Sequence, residues 1–196
     1  MPVMSAIEGA FCRSDPWRYL ARRWVLPWAL NGLELRGDVL EIGGGSGAMA
    51  DGVARRFPGV RLIVTDVDDA MVSAASRRLQ DRSNVKVEQA DVTSLPYATG
   101  SFDIVTTYLM LHHVVDWTDA LHEAARVLRP GGILIGYDLT DTNLARLTHR
   151  LDGSPHRMIA HDELAEGLAE AGFSDIDVVL SARRHLMRFR ATTNGR

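Results

Sequence analysis

Nine consecutive residues hold the densest chemistry of this chain. Val39-Leu-Glu-Ile-Gly-Gly-Gly-Ser-Gly47 sets one acid, Glu41, just ahead of four glycines in five positions. Glycine reaches positive φ without steric cost, so Gly43, Gly45 and Gly47 let the backbone turn sharply beneath a ligand. The apolar residues before them read as a buried parallel strand, and 48–56 reads as a helix with Ser46 as its N-cap. Strand, glycine turn and helix in succession make a nucleotide-type cofactor site at the carboxyl end of a sheet. Spacing alone leaves the cofactor open, because Gly43-x-Gly45-x-x-Ala48 also fits the dinucleotide fingerprint. Two further acids, Asp66 and Asp91, each follow an apolar run, and a third run ends in Tyr108-Leu-Met-Leu-His-His113.

Taken with its acid, Glu41-x-Gly43-x-Gly45-x-Gly47 resembles motif I of the class I S-adenosylmethionine (SAM) methyltransferases. The resemblance implies that the loop passes under the amino-acid end of SAM and that Glu41 contacts its amino group. SAM carries an ammonium and a sulfonium but no pyrophosphate, so an acid beside the loop attracts it where a dinucleotide would be repelled. Asp66 then matches the acid that bonds both ribose hydroxyls, with Val67 beside it; one carboxylate can accept two charge-assisted hydrogen bonds. The same acid could hold the ribose of NAD. Asp91 and Val92 resemble the adenine site, the carboxylate accepting from the exocyclic amine and the next backbone N–H meeting a ring nitrogen. Met71 is expected to pack near the adenine or ribose.

Thr106-Thr-Tyr-Leu-Met-Leu-His-His-Val-Val-Asp116 is similar to motif IV of the small-molecule, type 11 group of that family. The Asn/Asp-Pro-Pro-aromatic tetrad of amine N-methyltransferases is missing, which speaks against methylation of DNA or glutamine amines. The exit of this strand carries Tyr108 and Leu109 where metal-dependent relatives place an aspartate, so no metal is expected. Methyl transfer is an in-line displacement served by alignment and water exclusion. A hydroxyl acceptor also benefits from a base, and histidine is partly neutral at pH 7. His113 is the candidate base; Tyr108 borders both donor and acceptor, and Asp138, His149 and His156 are candidate acceptor-pocket groups. The resulting expectation is O-methylation of a hydroxylated metabolite or sugar, with S-adenosylhomocysteine as co-product. Alternatives are C- or N-methylation, a non-catalytic SAM-binding module, and an NAD-dependent oxidoreductase.

Positioning these groups requires a parallel sheet. Runs 39–42, 60–65, 84–90, 102–108 and 133–138 read as strands, with helices over 48–56, 69–80 and 116–128. Arg129-Pro-Gly-Gly132 should stop the last of these. The alternation predicts a doubly wound, Rossmann-like α/β sheet of seven strands, mostly parallel, with helices on both faces. Residues 161–172 read as a helix, and 175–180 and 183–191 as an antiparallel hairpin across Ser181-Ala182, a finish that matches the methyltransferase fold. The basic run 183–190 fits a half-exposed edge strand. Ahead of the sheet, Asp15 caps a helix that Pro27 kinks or ends, with Trp17, Leu20, Trp24 and Trp28 spaced to pack on the domain. The division is a helical cap (1–35), a SAM-binding core (37–139), an acceptor-side insertion or lid (140–160) and a C-terminal helix and hairpin (161–191).

The bulk numbers fit one ordinary globular domain: 196 residues, 46% apolar and 24% charged. No apolar run reaches the roughly 18 residues a membrane span needs. The first residues lack the basic start and apolar core of a signal peptide, and Cys12 is the single cysteine, so a cytoplasmic location is expected. A net charge of −3 gives no general attraction to nucleic acid or anionic lipid. The expected partner is a small-molecule acceptor, met by a monomer or homodimer.

Overall fold

The computed structural model describes residues 14–142, 157–181 and 184–194. Its strands are β1 (Asp38–Ile42), β2 (Arg61–Asp66), β3 (Val85–Gln89), β4 (Phe102–Tyr108), β5 (Leu128–Leu139), β6 (Phe173–Leu180) and β7 (Leu186–Thr193). They form one sheet in the order β3-β2-β1-β4-β5-β7-β6. All pairings from β3 through β5 are parallel, and β7 runs antiparallel to both its neighbours. The strand order reverses between β1 and β4, and the crevice at such a switch point is where open α/β sheets bind ligands.

The helices are α1 (Asp15–Leu20), α2 (Leu26–Leu30), α3 (Ala48–Arg56), α4 (Asp69–Leu79), α5 (Trp117–Val127) and α6 (His161–Glu170). They cover both faces because the central strands are apolar on both. In β1, Val39 joins the layer under α2, α3 and α4, while Leu40 and Ile42 join the layer under α5 and α6. Glu41 lies on the Val39 side by the two-residue period of a strand.

The terminal hairpin departs from its expected form. Residues 181–185, rather than two residues, connect its strands, and β7 inserts between β5 and β6 instead of lying at the edge. Met187, Phe189 and Ala191 are fully buried there. A period of two reports which face of a strand is apolar, and says nothing about its place in the sheet. β5 also starts early: Leu128 pairs with Phe102, and residues 129–132 bulge out before Ile133 pairs with Ile104.

The N-terminal helix passes through Pro27. A π-turn, Ala21–Val25, separates α1 from α2, and the Leu26 amide bonds the Ala21 carbonyl. Each added residue rotates a helical face by about 100°, so the aromatic stripe does not stay on one side. Trp28 packs on Tyr137, whereas Leu20 and Trp24 are 45% and 62% exposed. Ala21, Leu26, Ala29 and Leu30 make the burial instead. The side chain of Trp17 lies outside the described residues.

Gly136 in β5 marks the tightest point between the site's two central strands. A Cβ there would sit 2.1 Å from the Thr107 carbonyl oxygen and 3.0 Å from the Phe189 ring. Gly136→Ala should therefore destabilise by about 2–3 kcal/mol, lowering the melting temperature by about 5–10 °C. A thermal denaturation curve unchanged from the wild type would contradict that packing.

Candidate functional site

The glycine loop leaves β1 at the switch point with Gly43, Gly45 and Gly47 at φ +63°, +54° and +76°. Different neighbours press on it. A Cβ on Gly43 would lie 2.0 Å from Met110 Cγ, and one on Gly44 would lie 2.4 Å from Val64 Cγ1. A Cβ on Gly45 would meet nothing within 4 Å, so the loop's open side is at Gly45. Gly47, not Ser46, is the N-cap of α3. The Ser46 hydroxyl and carbonyl instead accept hydrogen bonds from Arg78, both at 2.7 Å; an arginine from α4 outcompetes the local cap.

Glu41 lies beneath this loop, 1% exposed, and among the described residues neither carboxylate oxygen has a hydrogen-bond partner. Burial pushes its pKa up to about 8, against the opposing influence of the Ala50 amide. A buried carboxylate without a partner is costly unless a cation or donor completes it. Nearby, the Tyr108 hydroxyl is also buried and unpartnered among the described residues. Its pKa is raised first by burial and then by the field of Glu41. An ammonium with donors to spare fits these orphaned oxygens, and the open face of Gly45 fits a ligand lying across the loop.

Asp66, at the end of β2, ties the loop to the next element. One carboxylate oxygen accepts from the Gly45 amide at 2.8 Å and the other from the Asp68 amide at 3.0 Å. Each oxygen keeps a second lone pair for a ligand hydroxyl. Burial raises its pKa, with the backbone amides of Asp68, Gly45 and Val67 opposing. Val67 is half-buried and its carbonyl accepts from Gln89. Met71 is buried in the first turn of α4, where Asp68 caps the helix through the Ala70 amide.

After β3, Asp91 Oδ1 accepts from the amide and hydroxyl of Thr93, at 2.9 and 2.7 Å. Burial alone would raise its pKa, but these two hydrogen bonds prevail and it is lowered. Both bonds fall on Oδ1, which leaves Oδ2 to face outward chemistry. Val92 is buried in the core, so its contribution to a ligand is confined to its backbone.

The exit of β4 turns at Leu109, whose φ of +54° is rare for a leucine. That turn carries Met110 against Gly43 and starts the 3₁₀ turn Leu111–His113. His113 is half-buried, and its ring lies against that of His112, tilted by 41° with centroids 4.0 Å apart. His112 is 3% exposed and its Nδ1 contacts Asp138 Oδ1, itself 1% exposed. Asp138, read from sequence as an acceptor-pocket group, is thus turned to His112 and also accepts from the Leu139 amide at 2.6 Å. The chain returns at Arg157, whose amide bonds the His112 carbonyl at 2.8 Å. His149 and His156 lie outside the described residues.

Sequence reasoning also missed an aromatic row. Trp28 meets Tyr137 edge-on at 5.5 Å, and Tyr137 meets Tyr108 at 5.8 Å, linking α2 to the Glu41 side of the site. Tyr137 stands directly before Asp138 in sequence, but nothing in the spacing shows which face it takes. The unpartnered hydroxyl at the end of this row yields a direct test. Tyr108→Phe should leave the melting temperature unchanged or slightly raised, since it removes an unsatisfied buried group. It should weaken S-adenosylhomocysteine binding in calorimetry by roughly 5–10-fold, one neutral hydrogen bond; unchanged affinity would detach Tyr108 from the cofactor.

Known proteins share the fold of this chain. Residues 40–136 match the profile of a family described as a methyltransferase domain. Over 98 residues the chain is 37% identical to the ubiquinone/menaquinone biosynthesis C-methyltransferase UbiE of Idiomarina loihiensis, covering 48% of this chain and 39% of that protein. The chain spans less than half the length of the curated relatives it matches. A SAM-dependent methyltransferase of Thermotoga maritima superposes with a TM-score of 0.75 at 22% identity, over 96% of this chain and 99% of that one. Phosphoethanolamine N-methyltransferase 2 of Haemonchus contortus, solved with SAM, gives 0.75 at 17% identity over 92% and 57%.

Proposed function

Since the chain belongs to the class I SAM-dependent methyltransferases, we propose that it transfers the methyl group to a small molecule carrying an acidic hydroxyl. The hydroxyl oxygen is the preferred nucleophile. The observation that carries this reading is the pair of histidines at the exit of β4, two residues beyond the Met110 that touches Gly43. In this reading they would supply a base at the carboxyl edge, beside the proposed position of the donor methyl.

When bound, SAM supplies a methyl on a sulfonium whose charge vanishes as the methyl leaves. Glu41 and Tyr108 would hold the ammonium end, Asp66 with Val67 the ribose, and Asp91, Val92 and Met71 the adenine. The β4 exit would accept the proton of the hydroxyl and help exclude water. His113, Tyr108, His149 and His156 form the acceptor side of the proposal. A second reading, methylation at a carbon activated by such a hydroxyl, is favoured by the C-methyltransferase named above. A base serves both, since removing the same proton makes either atom nucleophilic.

No helix among the described residues is long and apolar enough to cross a membrane. A cytoplasmic setting, in keeping with the single cysteine, and a monomeric or homodimeric state belong to the proposal.

The test is release of S-adenosylhomocysteine with a panel of phenols, enolisable ketones and sugars, with the methylated atom identified by NMR of the product from ¹³C-methyl SAM. Turnover on a hydroxylated acceptor, at oxygen or at the adjacent activated carbon, supports the reading. Tight S-adenosylhomocysteine binding with no turnover across the panel would replace it with a non-catalytic SAM-binding module.

A further inference from the structure

We propose that His112, held by Asp138, is the base of this reaction, and that Asp138 is a positioning residue rather than an acceptor ligand. The inference rests on the reading of a hydroxyl-bearing acceptor and goes beyond it by assigning the proton's route.

Four constraints converge on one imidazole. Asp138, at the end of β5, faces Nδ1 of His112, and the Arg157 amide fixes the His112 carbonyl. The His113 ring packs against it, and burial to 3% exposure removes freedom to rotate into solvent. A carboxylate can only accept, so Nδ1 carries the hydrogen and the lone pair belongs to Nε2. That is the tautomer a general base needs, presented from the nitrogen opposite Asp138.

The charge arrangement has the same sense. Asp138 is 1% exposed, and among the described residues no lysine or arginine pairs with it. Among the described residues it also accepts from the amides of His112, at 3.4 Å, and Leu139. The cation best placed to balance it is therefore the imidazolium that forms when His112 takes a proton. Arg157, on the segment that returns beside His112, is directed to Glu163 and the Trp117 ring. A buried carboxylate aimed at the developing imidazolium acts in a site where such stabilisation is strong.

The step balances. The acceptor O–H bond breaks and its proton passes to Nε2, while the oxygen or its activated carbon forms the bond to methyl. The carbon–sulfur bond breaks with its electron pair on sulfur, and neutral S-adenosylhomocysteine departs. The imidazolium then returns its proton to water.

Long-range ¹H–¹⁵N spectra of the ¹⁵N-labelled full chain test the positioning role without any acceptor. Wild-type His112 should show protonated Nδ1 and unprotonated Nε2, and Asp138→Asn should switch it to the Nε2–H form. With the acceptor found in the panel, His112→Gln and Asp138→Asn should each lower kcat by about 10²–10⁴-fold while S-adenosylhomocysteine affinity changes by less than about threefold. Free imidazole should restore part of the rate in His112→Gly. Wild-type His112 in the Nε2–H form, or a rate kept within threefold by His112→Gln, would overturn the pair and leave methyl transfer in place. A wild type silent on the whole panel would overturn the underlying reading instead, whatever the tautomer.

Discussion

Asp66→Ala should weaken S-adenosylhomocysteine binding by at least about 100-fold while the protein remains folded. The carboxylate is proposed to accept from both ribose hydroxyls, and hydrogen bonds to a charged group are worth about 1.5–3 kcal/mol each. Two of them give about 3–6 kcal/mol, or roughly 10²–10⁴ in Kd. A second loss compounds the first, because Asp66 holds the Gly45 amide at 2.8 Å and the Asp68 amide at 3.0 Å. Without it, the open end of the glycine loop is no longer fixed to the end of β2. Stability should fall by about 1–3 kcal/mol for the two unpaired amides, so calorimetry belongs beside a melting curve. Asp66→Asn separates the effects, since its one carbonyl oxygen can keep an amide but cannot accept from both hydroxyls. Affinity within threefold of wild type in Asp66→Ala, with the fold retained, would remove Asp66 from the ribose.

The strands and loop of the candidate donor side were legible because their signals are local. Glu41, the glycines and Asp66 follow strands whose apolar runs stand out, and a parallel α/β sheet brings the carboxyl ends of its strands to one edge. The acceptor side was less so because its geometry depends on packing between distant segments. His112 and His113 are adjacent and chemically identical in sequence, and only the approach of β5 shows that Asp138 selects His112. Arg78 similarly displaces the expected Ser46 cap through a contact 32 positions away. The place of β7 escaped for a related reason. Arg188 and Arg190 alternate as an edge strand would, yet Arg188 is half-buried and reaches toward the Trp28 carbonyl at 3.4 Å, while Arg190 is exposed opposite Asp177. The charges are accommodated on the outer face of an interior strand.

Glu41 should make both stability and cofactor affinity depend on pH, with opposite signs. Its pKa rises from 4.5 to about 8 in the folded protein through burial, so the folded state holds a proton that the unfolded chain releases above about 4.5. The associated stability is fully present below that value and is lost as pH rises through about 8. A shift of this size corresponds to an order of 5 kcal/mol, and Glu41→Gln, which stays neutral, should flatten the decline. Cofactor binding reverses the balance. An ammonium beside Glu41 favours the carboxylate, so binding between pH 6 and 7.5 must expel the proton, and affinity should climb by up to about tenfold per pH unit. Near pH 8 the gain should level off, because Glu41 is then ionised without help. Calorimetry of S-adenosylhomocysteine binding in buffers of different ionisation enthalpy measures the proton directly. Close to one proton should be released at pH 6.5 by the wild type and close to none by Glu41→Gln. Equal proton release from both proteins would mean that the carboxylate under the glycine loop does not meet the cofactor's ammonium.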